Sequence, residues 1–425
     1  MADRVNPEAT VESTTCVIAG CGPAGAVLGL LLARAGVEVL VLEKHADFFR
    51  DFRGDTIHPS TLEVLEELGL FEAFDELPHR KTPTIEAWTD DGPVTVADFR
   101  GLDVRHRYIA LVPQWDFLDL LTDAAKELPN FTLRMEAEVL EAVEHGRCVS
   151  GLRYRDGGGV HEVRAALTVA ADGRSSALTR SAGLVPRRFG APMDVLWFRI
   201  PREDSDPETS FGRVSAGRFL AMINRGDYWQ AGYLIPKGSG EELRARSVDT
   251  LRATLAELLP FLADRVGEIR GWDDVFLLSV QIDRLRRWHR PGLLCIGDAA
   301  HAMSPIGGVG INLAVQDAVA AGNLLAAPLL RGTLREGDLA RVARRRWLPT
   351  AATQAFQRLV GRRIIRPVLA GGGGGTPLAL RLLRTRPRLR RIPARLLGVG
   401  VLPEHVRVGA LSPEPGTRAA GSPSL

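Results

Sequence analysis

An apolar run, Cys16-Val17-Ile18-Ala19, breaks at Gly20-Cys21-Gly22-Pro23-Ala24-Gly25 into helix-forming residues through Gly29, and a second apolar run, Val39-Leu40-Val41-Leu42, ends in Glu43. Strand, glycine turn, helix and strand in that order commit the chain to an α/β fold built on a parallel sheet. Gly20 permits the tight turn, Gly22 lets the backbone approach a pyrophosphate, and Gly25 lets the helix pack against the strand. The helix start, with Ala24 following a Pro23 that itself has no N–H, offers free amides to the anion. Glu43, with Lys44 beside it, stands where a carboxylate accepts from ribose hydroxyls. A bare glycine triplet would carry little in a chain with 44 glycines among 425 residues. With helix, second strand and acid in register, the unit specifies a dinucleotide.

A second element decides which one. Leu293-Leu294-Cys295-Ile296 runs into Gly297-Asp298-Ala299-Ala300-His301, followed by Pro305-Ile306-Gly307-Gly308-Val309-Gly310-Ile311-Asn312 and a helix through Leu324. A simple nicotinamide-binding unit has no use for it, whereas a flavin does. Asp298 can accept from ribityl hydroxyls, and Gly308 and Gly310 let backbone amides approach a ring. The helix opening at Ile311 and Asn312 points its positive end at the pyrimidine edge, where charge gathers on reduction. The bound group is therefore expected to be FAD, favoured in its anionic reduced form. Alone, Asp298 reads equally well as a helix cap. His301 reads as a supporting residue and not as a base.

With Asp172-Gly173-Arg174-Ser175-Ser176 after the apolar strand Leu167 to Ala171, three marks stand in one order, and over about residues 14 to 350 the chain resembles the class A flavoprotein monooxygenases of the para-hydroxybenzoate hydroxylase type. The resemblance implies a Rossmann-like, glutathione-reductase-type FAD-binding domain (14–84, 105–185, 281–350) interleaved with a β-sheet substrate domain (85–104, 186–280). C-terminal helices (351–410) and a disordered tail (411–425) follow. It places Arg53 on the flavin side, as the one residue with a catalytic role, Gln114 near the FAD ribose, and Asp172 at the cofactor. The family's arginine seven residues after that Asp is here Thr179, with Arg180 next to it.

The implied activity is that of a monooxygenase. FAD is held, NADPH or NADH binds transiently, and reduced flavin reacts with O2 to a flavin hydroperoxide that hydroxylates an aromatic or polyketide-like small molecule. An epoxidase or Baeyer-Villiger oxygenase would look the same at this level. A halogenase is suggested by Lys81 but lacks the paired-tryptophan motif, and a non-catalytic flavin module is a third class. No residue stands out as a general base; Tyr228, Trp229, Gln230 and Tyr233 are candidates that read equally as sheet aromatics and rim residues.

Composition adds limits. Hydrophobic residues at 45% and charged at 25% are ordinary for a globular protein, and a net charge of +3 does not argue for nucleic acid. Cys16, Cys21, Cys148 and Cys295 lack metal-ligand spacing, so no metal is expected, and a reduced cytoplasmic protein is the simpler account. Met1 to Thr15 is polar, and no secretory leader is expected. A monomer or a homodimer fits equally. Helices are expected over Ser60 to Leu68, capped by Ser60, over Phe117 to Glu127 and over Leu359 to Arg366, and strands near Thr84 to Phe99, Met193 to Ile200, Phe219 to Asn224, Tyr228 to Ile235 and Val275 to Ile282. Beyond the glycine run 371 to 375, the segment Pro377 to Leu397 carries seven arginines among leucines: Arg381, Arg384, Arg386, Arg388, Arg390, Arg391 and Arg395. They read as a solvated face on helices whose leucines pack on the body, or as a docking surface for anionic lipid or an acidic carrier protein at the membrane periphery.

Overall fold

The computed structural model describes residues 11–49, 56–215, 217–371 and 376–407. The strand Glu12–Ala19 lies between Gly159–Ala170 and Val39–Leu42, all parallel, with Phe131–Arg134 and Leu293–Cys295 extending the sheet on either side. Val39–Leu42 is buried at every position, as parallel strands covered on both faces must be. One cover is the helix Pro23–Arg34, buried continuously from Ala24 to Ala33 because it is apolar all round. The helix Gly310–Leu330 packs on it so closely that a Cβ at Gly322 would lie 3.1 Å from the Cβ of Leu31. Ile306–Leu330 is long and apolar enough to cross a membrane, yet its most apolar stretch is 72% buried, and it is the core helix of this sheet. A hairpin turning at Gly157 and Gly158 leads from Cys148–Asp156 into Gly159–Ala170.

A second, seven-stranded sheet runs in the order Phe276–Leu278, Met193–Pro201, Tyr228–Pro236, Arg218–Asn224, Phe211–Ser215, Thr84–Thr89, Gly92–Asp98. Two distant pieces of chain are joined where Phe211 to Arg213 pair in parallel with Glu86 to Trp88. Strand alternation gives the sheet two different faces. Leu196, Phe198, Leu220, Met222 and Trp229 pack on Leu251, Leu255 and Leu258 of the helix Asp249–Leu258. Val195, Trp197, Leu234 and Ile223 face the other way, toward Ile306 and Val309 of the second glycine turn.

Several boundaries differ from the sequence reading. Val275 to Ile282 is not one strand: Phe276–Leu278 belongs to the large sheet, and the chain then crosses to pair Asp283–Leu285 with Pro186–Arg188. The helix expected from Ser60 runs Pro59–Glu67, with Pro59 at the first position where its missing N–H is harmless, so Ser60 is not the cap. The helix expected from Phe117 begins at Gln114. Leu359 to Arg366 is no separate helix; it ends the long helix Glu336–Val360 and continues as a π turn, Gly361–Ile365. Pro377 to Leu397 forms two helices, Leu378–Thr385 and Arg391–Gly398, parted by the 3-10 turn Pro387–Arg390. These bury Leu380, Ala394 and Leu397, while Arg381, Arg384, Arg386, Arg388, Arg391 and Arg395 are exposed. Thr376 ties the segment to the sheet, its hydroxyl donating to Asp91 Oδ2 at 2.7 Å. The tail 411–425 and most of the glycine run lie outside the described residues.

Candidate active site

The first glycine turn is shaped by backbone crowding. Gly20 has φ +91°, and a Cβ there would come within 2.6 Å of the carbonyl oxygen of Ala171. At Gly25 the added carbon would stand 2.0 Å from the oxygen of Gly20. Gly22 is different: a Cβ there meets nothing within 4 Å, so the helix start opens onto free space with no side-chain cap and no acid in its first turn. Such a helix start could cradle a pyrophosphate. Glu43, at the end of its strand, accepts from the amides of Cys21 (3.0 Å) and His45 (3.2 Å), and Lys44 beside it is exposed.

The second turn is held by side chains from elsewhere. Gly307 and Gly308 both sit at positive φ (+79° and +64°). A Cβ at Gly308 would lie 2.2 Å from Thr56 Oγ1, and one at Gly307 would lie 2.4 Å from Leu397 Cδ2. The carbonyl of Gly308 accepts from Thr56 Oγ1 (2.9 Å) and, in the Nε2–H tautomer, from His58 (3.2 Å). His58 is fully buried; desolvation pushes its pKa down to about 4 against the opposing backbone bonds at Gly308, Leu397 and Gly307. Asn312 is buried, with Oδ1 accepting from Ser60 Oγ (2.8 Å) and Thr61 Oγ1 (2.6 Å), so that oxygen is committed inside the protein. Ile311 is buried too, and Gly310 faces open space.

The two turns meet. Gly297, at φ +57°, is packed so that a Cβ would stand 3.1 Å from the Cβ of Ala24 and 3.5 Å from that of Ala314. Asp298 is about a third exposed and pairs through Oδ2 with Arg174 Nε at 3.0 Å. Asp172 accepts from the amide of Ala177 at 2.8 Å through Oδ2, while its buried Oδ1 has no partner. Burial pushes that carboxyl up despite its bonds to Ser176 and nearby amides. Behind the Gly297 turn, wholly buried Asp317 accepts from Gly297 N (3.1 Å) and His301 Nε2 (2.5 Å) through one oxygen, and from Arg346 Nε (2.9 Å) through the other. Desolvation opposes its charge, but His301 and Arg346 outweigh it and hold the carboxyl below its ordinary range.

Gln114 is half-buried at the start of its helix. Arg53 lies outside the described residues. Thr179 is buried and bonded to Ser176, whereas exposed Arg180 donates to the carbonyl of Ser175 at 2.7 Å and braces the Asp-Gly turn. Of the four candidates on the sheet, Trp229 and Tyr233 face the helix Asp249–Leu258, away from the glycine turns, and Trp229 donates to Asp206 at 2.9 Å. Gln230, opposite Ile223 in register, is on the facing side. Thr56, His58, Asp317, Arg346 and Trp197 escaped sequence reasoning, since no local pattern marks a partner some 250 residues away, such as Gly308 is for Thr56 (252). A cleft of about 400 Å³ lined by Leu324, Arg341, Arg344 and Arg345 shares no residue with either turn.

A pyrophosphate cradle and a second glycine turn, joined at Ala24 and Gly297 and facing a sheet, define a flavin-binding oxidoreductase of the class A type. The family model described as FAD binding domain matches residues 13–355, and the chain belongs to that family. It is an FAD-dependent monooxygenase. It is 31% identical over 397 residues to 6-methylpretetramide 4-monooxygenase of Streptomyces rimosus, covering 92% of this chain and 95% of that one. It is 30% identical over 328 residues to the 12-dehydrotetracycline 5-monooxygenase/anhydrotetracycline 6-monooxygenase of the same species, covering 74% of this chain and 62% of that longer relative. The fold is that of PqsL from Pseudomonas aeruginosa, with TM-score 0.72, 22% identity, and 85% of this chain and 99% of that one covered.

Proposed function

We propose that the protein is an NAD(P)H-consuming hydroxylase of an aromatic, polyketide-like small molecule. The observation that carries this is the opposition of the Gly307–Gly310 turn to one face of the seven-stranded sheet, where Trp197, Ile223 and Gln230 stand. Trp197 lies flat over Gly232, where a Cβ would be 2.9 Å from its ring, and its indole nitrogen is buried without a partner. A flat aromatic wall with one unused donor suits a planar, oxygenated substrate. Similarity to a pretetramide monooxygenase over nearly the whole length supports the same substrate class.

The amides at Gly22, Pro23, Ala24 and Gly25 fit the pyrophosphate, except that Pro23 offers no N–H. Glu43 fits the ribose and Asp298 the ribityl chain, once Arg174 releases it. The amides of Gly310, Ile311 and Asn312 would face negative charge at the pyrimidine edge of a bound flavin. FAD bound there supplies the redox and oxygen-activating chemistry. Leu397, Val309 and Phe356 exclude water from the same cluster. Lys81, which suggested the halogenase alternative, sits on the outer strand Arg80–Thr82, about half exposed and paired with Asp75 at 2.6 Å.

The test is anaerobic reduction of the yellow protein by NADPH and NADH across a panel of phenolic and naphthacene-type compounds, followed by product mass under labelled dioxygen. Ligand-stimulated reduction and gain of one labelled oxygen are expected. Reduction that no aromatic compound stimulates would count against the reading.

A further inference from the structure

Three guanidinium groups converge on one ring beside the Gly297–Asp298 turn. Arg187, Arg358 and Arg284 stand 5.3, 5.0 and 5.4 Å from the centroid of Phe189, and Arg284 also lies 4.7 Å from that of Trp347. Arg187 and Arg284 are directly opposite in the antiparallel pair Pro186–Arg188 with Asp283–Leu285. Like charges in that position destabilise a sheet. Among the described residues no carboxylate pairs with any of the three; the side-chain bond of Arg284 goes to neutral Gln354 Oε1 at 3.1 Å. Arg358 Nε is buried without a partner. Desolvation, then the charges of Arg187 and Arg358, pull the Arg284 pKa down. Cation–π contacts offset part of this repulsion, and a bound polyanion would relieve the rest.

The cluster is fastened to the cofactor site. Asp283, the residue before Arg284, accepts from the amide of Ala302 at 3.2 Å, and Gln354 Nε2 donates to the carbonyls of Asp283 (2.6 Å) and Ala302 (3.0 Å). The Asp283 carboxyl feels the charges of Asp298, Arg188 and Arg174. Side chains alternate along the pair, so Asp283 and Arg188 turn toward Arg174 and Asp298 while Arg284 and Arg187 occupy the opposite face of the same short strands, held to the loop after the Gly297–Asp298 turn through Gln354.

We propose that Arg187, Arg284 and Arg358, with Phe189 and half-exposed Trp347, bind the 2′-phosphorylated adenosine half of the nicotinamide cofactor, making NADPH the reductant. The inference rests on the reading of the protein as a nicotinamide-consuming monooxygenase. A phosphomonoester presents three terminal oxygens to planar donors, which is the geometry that guanidinium forks match, and Trp347 offers a face to the purine. NADH has a hydroxyl at that place and leaves the repulsion unrelieved.

The probes are 2′,5′-ADP, 5′-ADP and inorganic phosphate, titrated calorimetrically into the FAD-loaded protein. Binding of 2′,5′-ADP should be at least about tenfold tighter than that of the other two, a gap of about 1.4 kcal/mol. Arg284→Gln should abolish the difference and lower the kcat/KM ratio of NADPH over NADH, with the flavin spectrum unchanged and Arg284→Lys recovering part. Should R284Q misfold, exposed Arg187→Gln reads the same quantity. Equal binding of 2′,5′-ADP, 5′-ADP and phosphate, or an unaltered ratio in both variants, overturns the site. Selective 2′,5′-ADP binding by a protein whose flavin NADPH cannot reduce would support the site and remove the monooxygenase reading instead.

Discussion

The two glycine turns do related work by different physics. At residues 20 to 25 the shape is written in backbone sterics alone: Gly20 against Ala171, Gly25 against Gly20, and open space at Gly22. At residues 307 to 312 the shape is imposed from outside, by Thr56 and His58 on one carbonyl, Ser60 and Thr61 on Asn312, and Leu397 on Gly307. On the proposed reading the first turn would hold the end of the cofactor that does no chemistry, and needs only to fit. The second would border the reacting end, and side chains give it settings that glycine alone cannot, namely which way the Gly308 carbonyl points and how dry the turn is.

Breaking the support behind the second turn has the largest expected effect. In Asp317→Asn buried Arg346 loses the nearer of its two carboxylates, keeping Glu404 at 3.6 Å, and the ring of His301 loses its charged acceptor. Removing one partner of a buried pair typically destabilises by about 3–5 kcal/mol. Urea unfolding should register that loss, with FAD released at the same time. A loss under about 1 kcal/mol would mean that the network is not what holds Gly297.

The first turn allows a paired contrast. Gly25→Ala puts a methyl 2.0 Å from a backbone oxygen and should destabilise the fold by about 1–3 kcal/mol or more. Gly22→Ala meets nothing in the ligand-free protein and has an ordinary φ of −72°, so its melting temperature should hold or rise slightly. Its FAD affinity should nevertheless fall, by on the order of tenfold, equivalent to about 1.4 kcal/mol. Fluorescence titration with FAD beside thermal melts separates the two, and a Gly22 variant binding FAD normally would empty the cradle of its meaning.

His58 supplies the pH test. Its folded pKa, about 4, is below the 6.5 of the unfolded chain, so the unfolded state binds the extra proton between those values. The stability that depends on neutral His58 is therefore fully present above pH 6.5 and lost as pH falls from 6.5 toward 4. The shift corresponds to about 3 kcal/mol at most. His58→Gln should flatten that part of the stability profile, and a profile unchanged by the substitution would contradict the assignment.

These contrasts also explain what the sequence disclosed. The first turn was legible because every contact that shapes it is encoded within one strand-helix-strand unit or by a glycine. The Gly297-Asp298 element was legible as a motif, but Asp317 behind it was not, since an Asp inside an apolar helix announces no partner. Ser60 shows the ambiguity directly: a serine before an apolar helix looks the same whether it caps that helix or, as here, reaches Asn312. On the sheet, Tyr228, Trp229, Gln230 and Tyr233 could not be told apart in the sequence, because which face each takes toward the second glycine turn depended on where Asp249–Leu258 packed. All but Arg390 of the arginines from Arg381 to Arg395 are exposed, but their neighbour Leu397 covers Gly307. A chain ending at Gly371 would therefore be no neutral control for surface binding.

The smallest expected effect belongs to the joint between the two turns. Arg174 and Asp298 are about a third exposed on each side, and such a pair contributes about 1 kcal/mol or less to folding. Arg174→Gln should thus leave thermal stability nearly unchanged. It should still alter cofactor loading if, as proposed, Asp298 exchanges the guanidinium for ribityl hydroxyls when FAD enters. Faster FAD association in stopped flow, diminishing at high salt where the wild-type pair is already screened, is the expected signature. Identical association rates at every ionic strength would show that Asp298 is not waiting on Arg174, and would leave the two turns independent of each other.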